Sequence, residues 1–170
     1  MYHRQLNILY HSFLVEISYE NSPNKLEKIA TEINQNAGIR FNELLRKTKI
    51  PSGTLMHYIK QLEKRKAINI KRESRETRYF SINVKNYEVN TIIAFRKPTL
   101  KNIILCLMKT DYLSLPMISK AIKKSPPTCS VALSELADMG LVESALQGRK
   151  KMFRIIDKDS ILKITQKYCK

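Results

Sequence analysis

A mainly helical α+β fold, built twice in tandem from three helices and a small β-hairpin, is the fold class this sequence predicts. Three observations predict it. Turn formers are scarce, with 4 Gly and 6 Pro in 170 residues and no Trp, which favours helices over a turn-rich β-sandwich. The chain matches itself when displaced by 74 residues. In each copy, helically spaced apolar residues give way to two short alternating runs.

The repeat is carried by apolar positions. Leu26, Ile29, Ala30 and Ile33 fall on Leu100, Ile103, Ile104 and Leu107, both sets following the i, i+3, i+4, i+7 spacing of one helix face. Ile39, Phe41 and Leu44 fall on Leu113, Leu115 and Ile118. Thr54, Ile59, Leu62 and Ile68 fall on Thr128, Leu133, Leu136 and Val142, and Arg75 falls on Arg149. Beyond that the best displacement drops to 73, pairing Phe80 and Ile82 with Phe153 and Ile155, and a one-residue difference in a hairpin tip is expected. Two periods are too few for a solenoid, so the pattern reads as a duplicated domain.

Element by element, the first copy begins with a helix over Pro23 to Asn36, with Ser22 at its N-cap and Pro23 in its first turn. Gly38 ends it, and Ile39-Arg40 is a short extended piece. A second helix spans Phe41 to Lys47, and a third runs from Pro51 to about Arg65. Strands are expected over Ala67 to Arg72 and Arg78 to Val84, where Phe80, Ile82 and Val84 share a face, with Glu73 to Thr77 as the polar tip. The second copy repeats this with helices over Thr99–Lys109, Leu115–Lys123 and Pro126–Met139, and strands over Leu141–Leu146 and Lys151–Ile156. Lys66 stands where the second copy has Gly140. Gly adopts a left-handed helix end freely and Lys does so at about 1 kcal/mol, so the first copy's third helix is expected to end differently.

The domain organisation that follows is a helical extension over 1–21, a first domain over 22–84, a helical linker over 85–97 and a second domain over 98–170 with a terminal helix. Leu6, Leu9, Tyr10, Phe13 and Ile17 make the extension's apolar stripe, although Ile8, Tyr10 and Val15 leave a strand open. Ile161, Leu162, Thr165 and Tyr168 mark the terminal helix. The linker is apolar at Ile92, Ile93, Ala94 and Phe95, whereas flexible linkers are rich in Gly and Ser.

Charge narrows the function. Lys and Arg total 31 against 15 Asp and Glu, a net charge of +16, which points to a polyanion as partner. The apolar runs fall well short of the roughly 20 residues a membrane span needs, so no membrane partner is expected. Cys106, Cys129 and Cys169 are odd in number and lack C-x-x-C spacing; neither a disulfide framework nor a metal site is implied, and reduced thiols fit the cytoplasm. Three scattered histidines and the lack of a Gly-rich phosphate loop leave catalysis without a foothold, and no cofactor is called for.

The order helix, short strand, helix, turn, helix, hairpin is that of a winged helix-turn-helix. The segment Ile50-Pro51-Ser52-Gly53-Thr54-Leu55-Met56-His57-Tyr58-Ile59-Lys60-Gln61-Leu62-Glu63 resembles the recognition-helix segment of winged-helix regulators of the broad MarR/ArsR type. Ser125-Pro126-Pro127-Thr128 through Leu136-Ala137-Asp138-Met139-Gly140-Leu141-Val142 resembles the same segment, and Gly148 to Ile155 resembles a wing. The likeness spans about residues 22 to 156 and is nearest to archaeal regulators with two such domains in one chain. It implies two winged helix-turn-helix domains in tandem and a cytoplasmic, nucleoid-associated transcriptional regulator that binds double-stranded DNA. Which small-molecule effector it answers to, if any, is left unknown.

Residues 46 to 78 hold eleven basic residues against three acids, leaving +8, half of the chain's net charge. Helical spacing turns Leu55, Ile59 and Leu62 inward and leaves Ser52, Gly53, Thr54, Met56, His57 and Lys60 outside, on the half of a recognition helix that enters the major groove. Ser52 and Thr54 can donate to phosphates or bases, His57 to a guanine acceptor, Lys60 can neutralise a phosphate and Met56 can touch a thymine methyl. Tyr58 is expected to pack rather than stack on a base. Lys49, Lys71, Arg72, Arg75 and Arg78 complete the first copy's expected contacts. In the second copy they are Lys123, Lys124, Ser130, Arg149, Lys150 and Lys151. Its third helix has no basic residue and carries Glu135 and Asp138, which are expected to repel phosphates, so the first domain is expected to read sequence and the second to add backbone contacts or meet a partner. The flanking helices leave two outcomes open, a homodimer or packing within the chain. Two rival functions also stay open: a winged-helix adaptor binding protein, and an RNA-binding protein.

Overall fold

The structure is a computed structural model that describes residues 23–73 and 76–169. The expected N-terminal extension, the Ser22 cap and Arg75 lie outside the described residues. The chain forms two compact units that part between Lys85 and Asn86.

The first unit runs α1 (Pro23–Gln35), β1 (Ile39–Arg40), α2 (Phe41–Thr48), α3 (Ser52–Lys64), β2 (Ile68–Arg72) and β3 (Thr77–Ser81). Leu26, Ile29, Ala30 and Ile33, the expected stripe of α1, are all buried. Gly38 takes a left-handed φ of 73°, letting the chain turn from α1 into β1, and its N–H donates to the Tyr79 carbonyl at 2.9 Å. In α2 the buried Thr48 hydroxyl is satisfied by donating to the Leu44 carbonyl at 2.8 Å. The core gathers Leu44 of α2, Leu55, Ile59 and Leu62 of α3, and Ile68 and Tyr79 of the sheet around the α1 stripe.

The second unit runs α4 (Asn86–Arg96), α5 (Pro98–Met108), β4 (Leu113–Ser114), α6 (Leu115–Ile122), α7 (Pro126–Asp138), β5 (Val142–Gln147), β6 (Lys150–Ile155) and α8 (Lys158–Tyr168). Its core joins Leu100, Ile103, Ile104 and Leu107 of α5 to Ile118, Leu133, Leu136, Val142 and Ile155. The segment expected to link the domains is the helix α4, packed within this unit against α5 and α8. The buried Glu88 of α4 accepts from Lys167 Nζ at 3.2 Å and Tyr168 Oη at 3.0 Å, which offsets the cost of burying a carboxylate. On α8, Asp157 caps the helix by accepting from the Ser160 N–H at 2.9 Å. The buried face of α8 is Ile161 and Ile164, while Leu162, counted in the expected apolar set, is exposed.

Each unit closes with a three-stranded antiparallel sheet, ordered β1-β3-β2 in the first and β4-β6-β5 in the second. Ile39 pairs with Tyr79 and Ile68 with Ser81; Leu113 pairs with Phe153 and Val142 with Ile155. The displacement of 74 therefore holds through both hairpins, which corrects the expected slip to 73. Gln147 pairs with Lys150 across a two-residue tip. In the first hairpin Glu73 donates its N–H to the Glu76 carbonyl at 2.9 Å across a tip of equal length. The apparent slip arises because Arg78, Tyr79, Phe80 and Ser81 are all buried, so alternation does not distinguish the two faces of β3. The strand also stops at Ser81 rather than Val84: Val84 donates back to the Ser81 carbonyl at 3.0 Å in a turn, and Ile82 is exposed.

The expected difference between the ends of α3 and α7 is corrected too. Lys66 takes φ 55° and Gly140 φ 71°. Ala67 donates to the Leu62 carbonyl at 2.9 Å, and Leu141 donates to the Leu136 carbonyl at 3.0 Å. Both helices end in the same left-handed cap, because Ala67 and Leu141 must turn back into the core. Lys66 bears the strain that Gly140 avoids. Replacing Lys66→Gly is expected to stabilise the chain by about 1 kcal/mol in urea unfolding, and Gly140→Ala to destabilise it by a similar amount. A Cβ at Gly140 meets nothing within 4 Å, so that loss reports the backbone alone.

Candidate nucleic-acid interface

The position of α3 is set by what it buries. Leu55, Tyr58, Ile59 and Leu62 face the core, so the opposite side presents Ser52, Gly53, Met56, His57 and Lys60 exposed and Thr54 half-buried. No side chain caps the amino end of α3, where the N-cap is Pro51. The first-turn N–H groups of Ser52, Gly53 and Thr54 thus lie at the positive end of the helix dipole, where an anion is favoured. A Cβ on Gly53 would meet nothing within 4 Å, so this turn is open to a close approach. His57 is held by a 2.8 Å hydrogen bond between its Nε2 and Gln61 Nε2, and its ring stands edge-on to Tyr58 at 5.7 Å. Tyr58 itself packs in the core. Met56 borders an open groove of about 920 Å³ whose walls also include Arg40, Phe41, Arg46 and Tyr79. Burial raises the pKa of the Tyr79 phenol.

Cations surround this helix. Lys49 is exposed in the turn before it, with a left-handed φ of 56°. Lys60, Lys64 and Lys66 follow along and just beyond α3, and Lys71 and Arg72 lie on β2, all exposed. Arg72 donates to both carboxylate oxygens of Glu63, at 2.7 and 2.9 Å, which ties the hairpin to α3 and offsets part of that charge. Arg78 is a correction. Expected as a wing contact, it is buried at 3% exposure in the central strand. Its Nη1 donates to the Gly38 carbonyl at 2.9 Å and its Nη2 to Glu76 at 3.0 and 3.1 Å. The guanidinium staples β3 to the turn before β1 and has no surface to offer a duplex. Glu43, hydrogen-bonded to Arg40 at 2.8 Å, raises the Arg40 pKa.

In the second unit Lys120, Lys123 and Lys124 are exposed before α7, and Lys123 repeats the left-handed geometry of Lys49 with φ 55°. Ser130 is exposed on α7 together with Pro126, Pro127, Val131 and Ser134. Here Ser125 caps the helix, its Oγ accepting from the Thr128 N–H at 3.4 Å, and two prolines supply no N–H at all. Arg149, Lys150 and Lys151 are exposed at the hairpin tip, where Gly148 takes a φ of 61°. Lys151 lies over the Phe153 ring at 5.5 Å. Arg154 is paired with Glu143 and lies 5.6 Å from the Tyr112 ring; the hydrogen bond to Glu143 raises its pKa. The expected repulsion from two acids on α7 is reduced to one, because Lys97 Nζ contacts Glu135 at 2.6 Å and Asp138 alone is exposed.

Arg46, Lys64 and Lys66, counted in the basic stretch of residues 46 to 78 but not among its expected contacts, join the exposed cations. Lys49 and Lys123 are equivalent under the displacement of 74, and both occupy left-handed positions that glycine favours. Among the described residues every non-glycine with positive φ is a lysine. The uncapped amino end of α3 was visible in Pro51, which has no side-chain acceptor.

Among the described residues no helix is long and apolar enough to cross a membrane, and no group of three His, Cys, Asp or Glu could hold a metal. A family model described as an N-terminal HTH domain matches residues 24–92, and one described as winged helix-turn-helix DNA-binding matches residues 96–143. No curated protein matches the chain. Similar solved structures include the transcriptional repressor BigR from Xylella fastidiosa, at 19% identity over 49% of this chain and 85% of that one, with a TM-score of 0.43. NolR from Sinorhizobium fredii is 20% identical over 47% of this chain and 78% of that one, with a TM-score of 0.42. A possible transcriptional regulator from Methanosarcina mazei is 15% identical over 59% of this chain and 88% of that one, with a TM-score of 0.36.

The two arginines of the first hairpin separate by burial. Arg78→Ala empties a buried site in the central strand and removes the donor that joins the Gly38 carbonyl to Glu76, which keeps its ion pair with Arg40, and is expected to cost about 3 kcal/mol in urea unfolding. Arg72→Ala, which breaks an exposed pair, is expected to cost less than about 1 kcal/mol.

Proposed function

We propose that this chain, whose two units are helix-turn-helix domains in tandem, is a sequence-specific transcriptional regulator that binds double-stranded DNA. One observation carries the reading. The face of α3 opposite the core presents Ser52, Thr54, His57 and Lys60 on its leading half, beside an uncapped amino end and between the cations of the preceding turn and the following hairpin. A phosphate fits the positive helix end, and the donors beyond it reach base edges in the major groove. Lys49 and Lys71 take the flanking phosphates, and Arg75, expected to join them, lies outside the described residues.

The second unit contributes mainly backbone contacts, through Lys123, Lys124, Arg149, Lys150 and Lys151. One chain then covers two sub-sites, and a homodimer would cover four. Catalysis has no part in this function.

A gel-shift series with duplex DNA, structured RNA and an acidic protein as competitors tests the class of partner. Duplex DNA is expected to compete alone, and preferential competition by RNA or by the protein would overturn the reading. Neutralising about six phosphates gives a log–log salt slope near −5, and Lys60→Ala is expected to reduce its steepness by about 1. His57→Ala is expected to alter the sequences selected from random duplexes. Arg149, Lys150 and Lys151 changed together to Ala are expected to weaken all sequences evenly. The reverse pattern would refute the division between the two domains.

A further inference from the structure

The displacement of 74 lets the outward faces of α3 and α7 be compared position by position. Gly53 becomes Pro127, Met56 becomes Ser130, His57 becomes Val131, Lys60 becomes Ser134 and Lys64 becomes Asp138. The ring donor and both ammonium groups of α3 have no counterpart on α7. In their place stands Val131, 71% exposed, between the hydroxyls of Ser130 and Ser134. Its exposure separates it from the buried stripe of Cys129, Ala132, Leu133 and Leu136.

Positive charge has moved to either side of the helix. Lys120, Lys123 and Lys124 precede it and Arg149, Lys150 and Lys151 follow it in the hairpin, all exposed. Lys97 covers Glu135 at 2.6 Å, so the rear of the helix carries less negative charge than its composition suggests. The two prolines remove first-turn donors and Ser125 takes the Thr128 N–H, which leaves α7 little with which to grip a phosphate itself. A surface uncharged along its middle and cationic at both edges complements a duplex groove, whose phosphates line the rims. At its floor an adenine–thymine pair offers a methyl group. A protein-docking face would need a broad apolar patch, and on α7 Val131 is the one large apolar side chain exposed.

We propose that α7 reads thymine methyl groups through Val131, so that the two domains of one chain recognise chemically different halves of a single site. This rests on the reading that the chain binds duplex DNA. The test uses the full chain and the duplex it selects from random sequences, with thymines replaced tract by tract by deoxyuridine, which removes only the methyl. In one tract the replacement is expected to weaken wild-type binding about fourfold per contacted methyl. Val131→Ala is expected to lose that preference for thymine over uracil, while Leu162→Ala, which removes an exposed apolar side chain on α8, retains it. Equal affinity for thymine and uracil throughout the site would overturn the proposal, as would a Val131→Ala chain that keeps the wild-type preference. A chain that shifts no duplex at any salt concentration defeats the DNA-binding reading itself, and this inference with it.

Discussion

What α3 and α7 present outward depends on what they bury. Leu55, Ile59 and Leu62 lock α3 to its core, and the equivalent Cys129, Leu133 and Leu136 lock α7. Each large side chain contributes about 1.5–3 kcal/mol by leaving water, enough to fix the rotation of a 13-residue helix about its own axis. The outward residues play little part in holding the helix and could therefore diverge. Duplication with one stripe conserved between the copies has yielded a cationic, donor-rich face in one unit and an uncharged face in the other.

Left-handed residues at the helix ends work alongside that stripe. Lys49 and Lys123 terminate the helix before the turn, and Lys66 and Gly140 terminate α3 and α7. Each redirects the chain into the next packed element, and the core rewards the turn with Ile50, Ala67 or Leu141 buried just beyond three of the four. At three of these positions lysine accepts a strain glycine would avoid. It thereby puts an ammonium group at the corners of the helix-turn-helix. The physical consequence is a charge whose backbone is rigid and whose head is free to meet solvent or a phosphate.

The net charge of +16 overstates the cation available for a duplex. Arg78 is spent on fold, Arg72 is shared with Glu63, and Arg154 is shared with Glu143. Lys97 in turn pairs with Glu135 and so offsets one of the two acids of α7. Ion pairing between hairpin and helix redistributes charge as much as it stabilises, since exposed pairs are worth little on their own.

Periodicity and spacing alone determined the order of elements in both units and the inward stripes of α3 and α7, because helical burial repeats every three to four residues and leaves its mark on composition. They also determined the duplication. Register in the hairpins, the fate of Arg78 and the shared ending of α3 and α7 were decided only by tertiary structure. A strand buried on both faces carries no alternation to read. A buried guanidinium depends on partners that come from the turn before β1 and from Glu76, and Lys66 enters the left-handed region because Ala67 after it has a core to fill. Such contacts join positions up to 40 residues apart, so no local pattern records them.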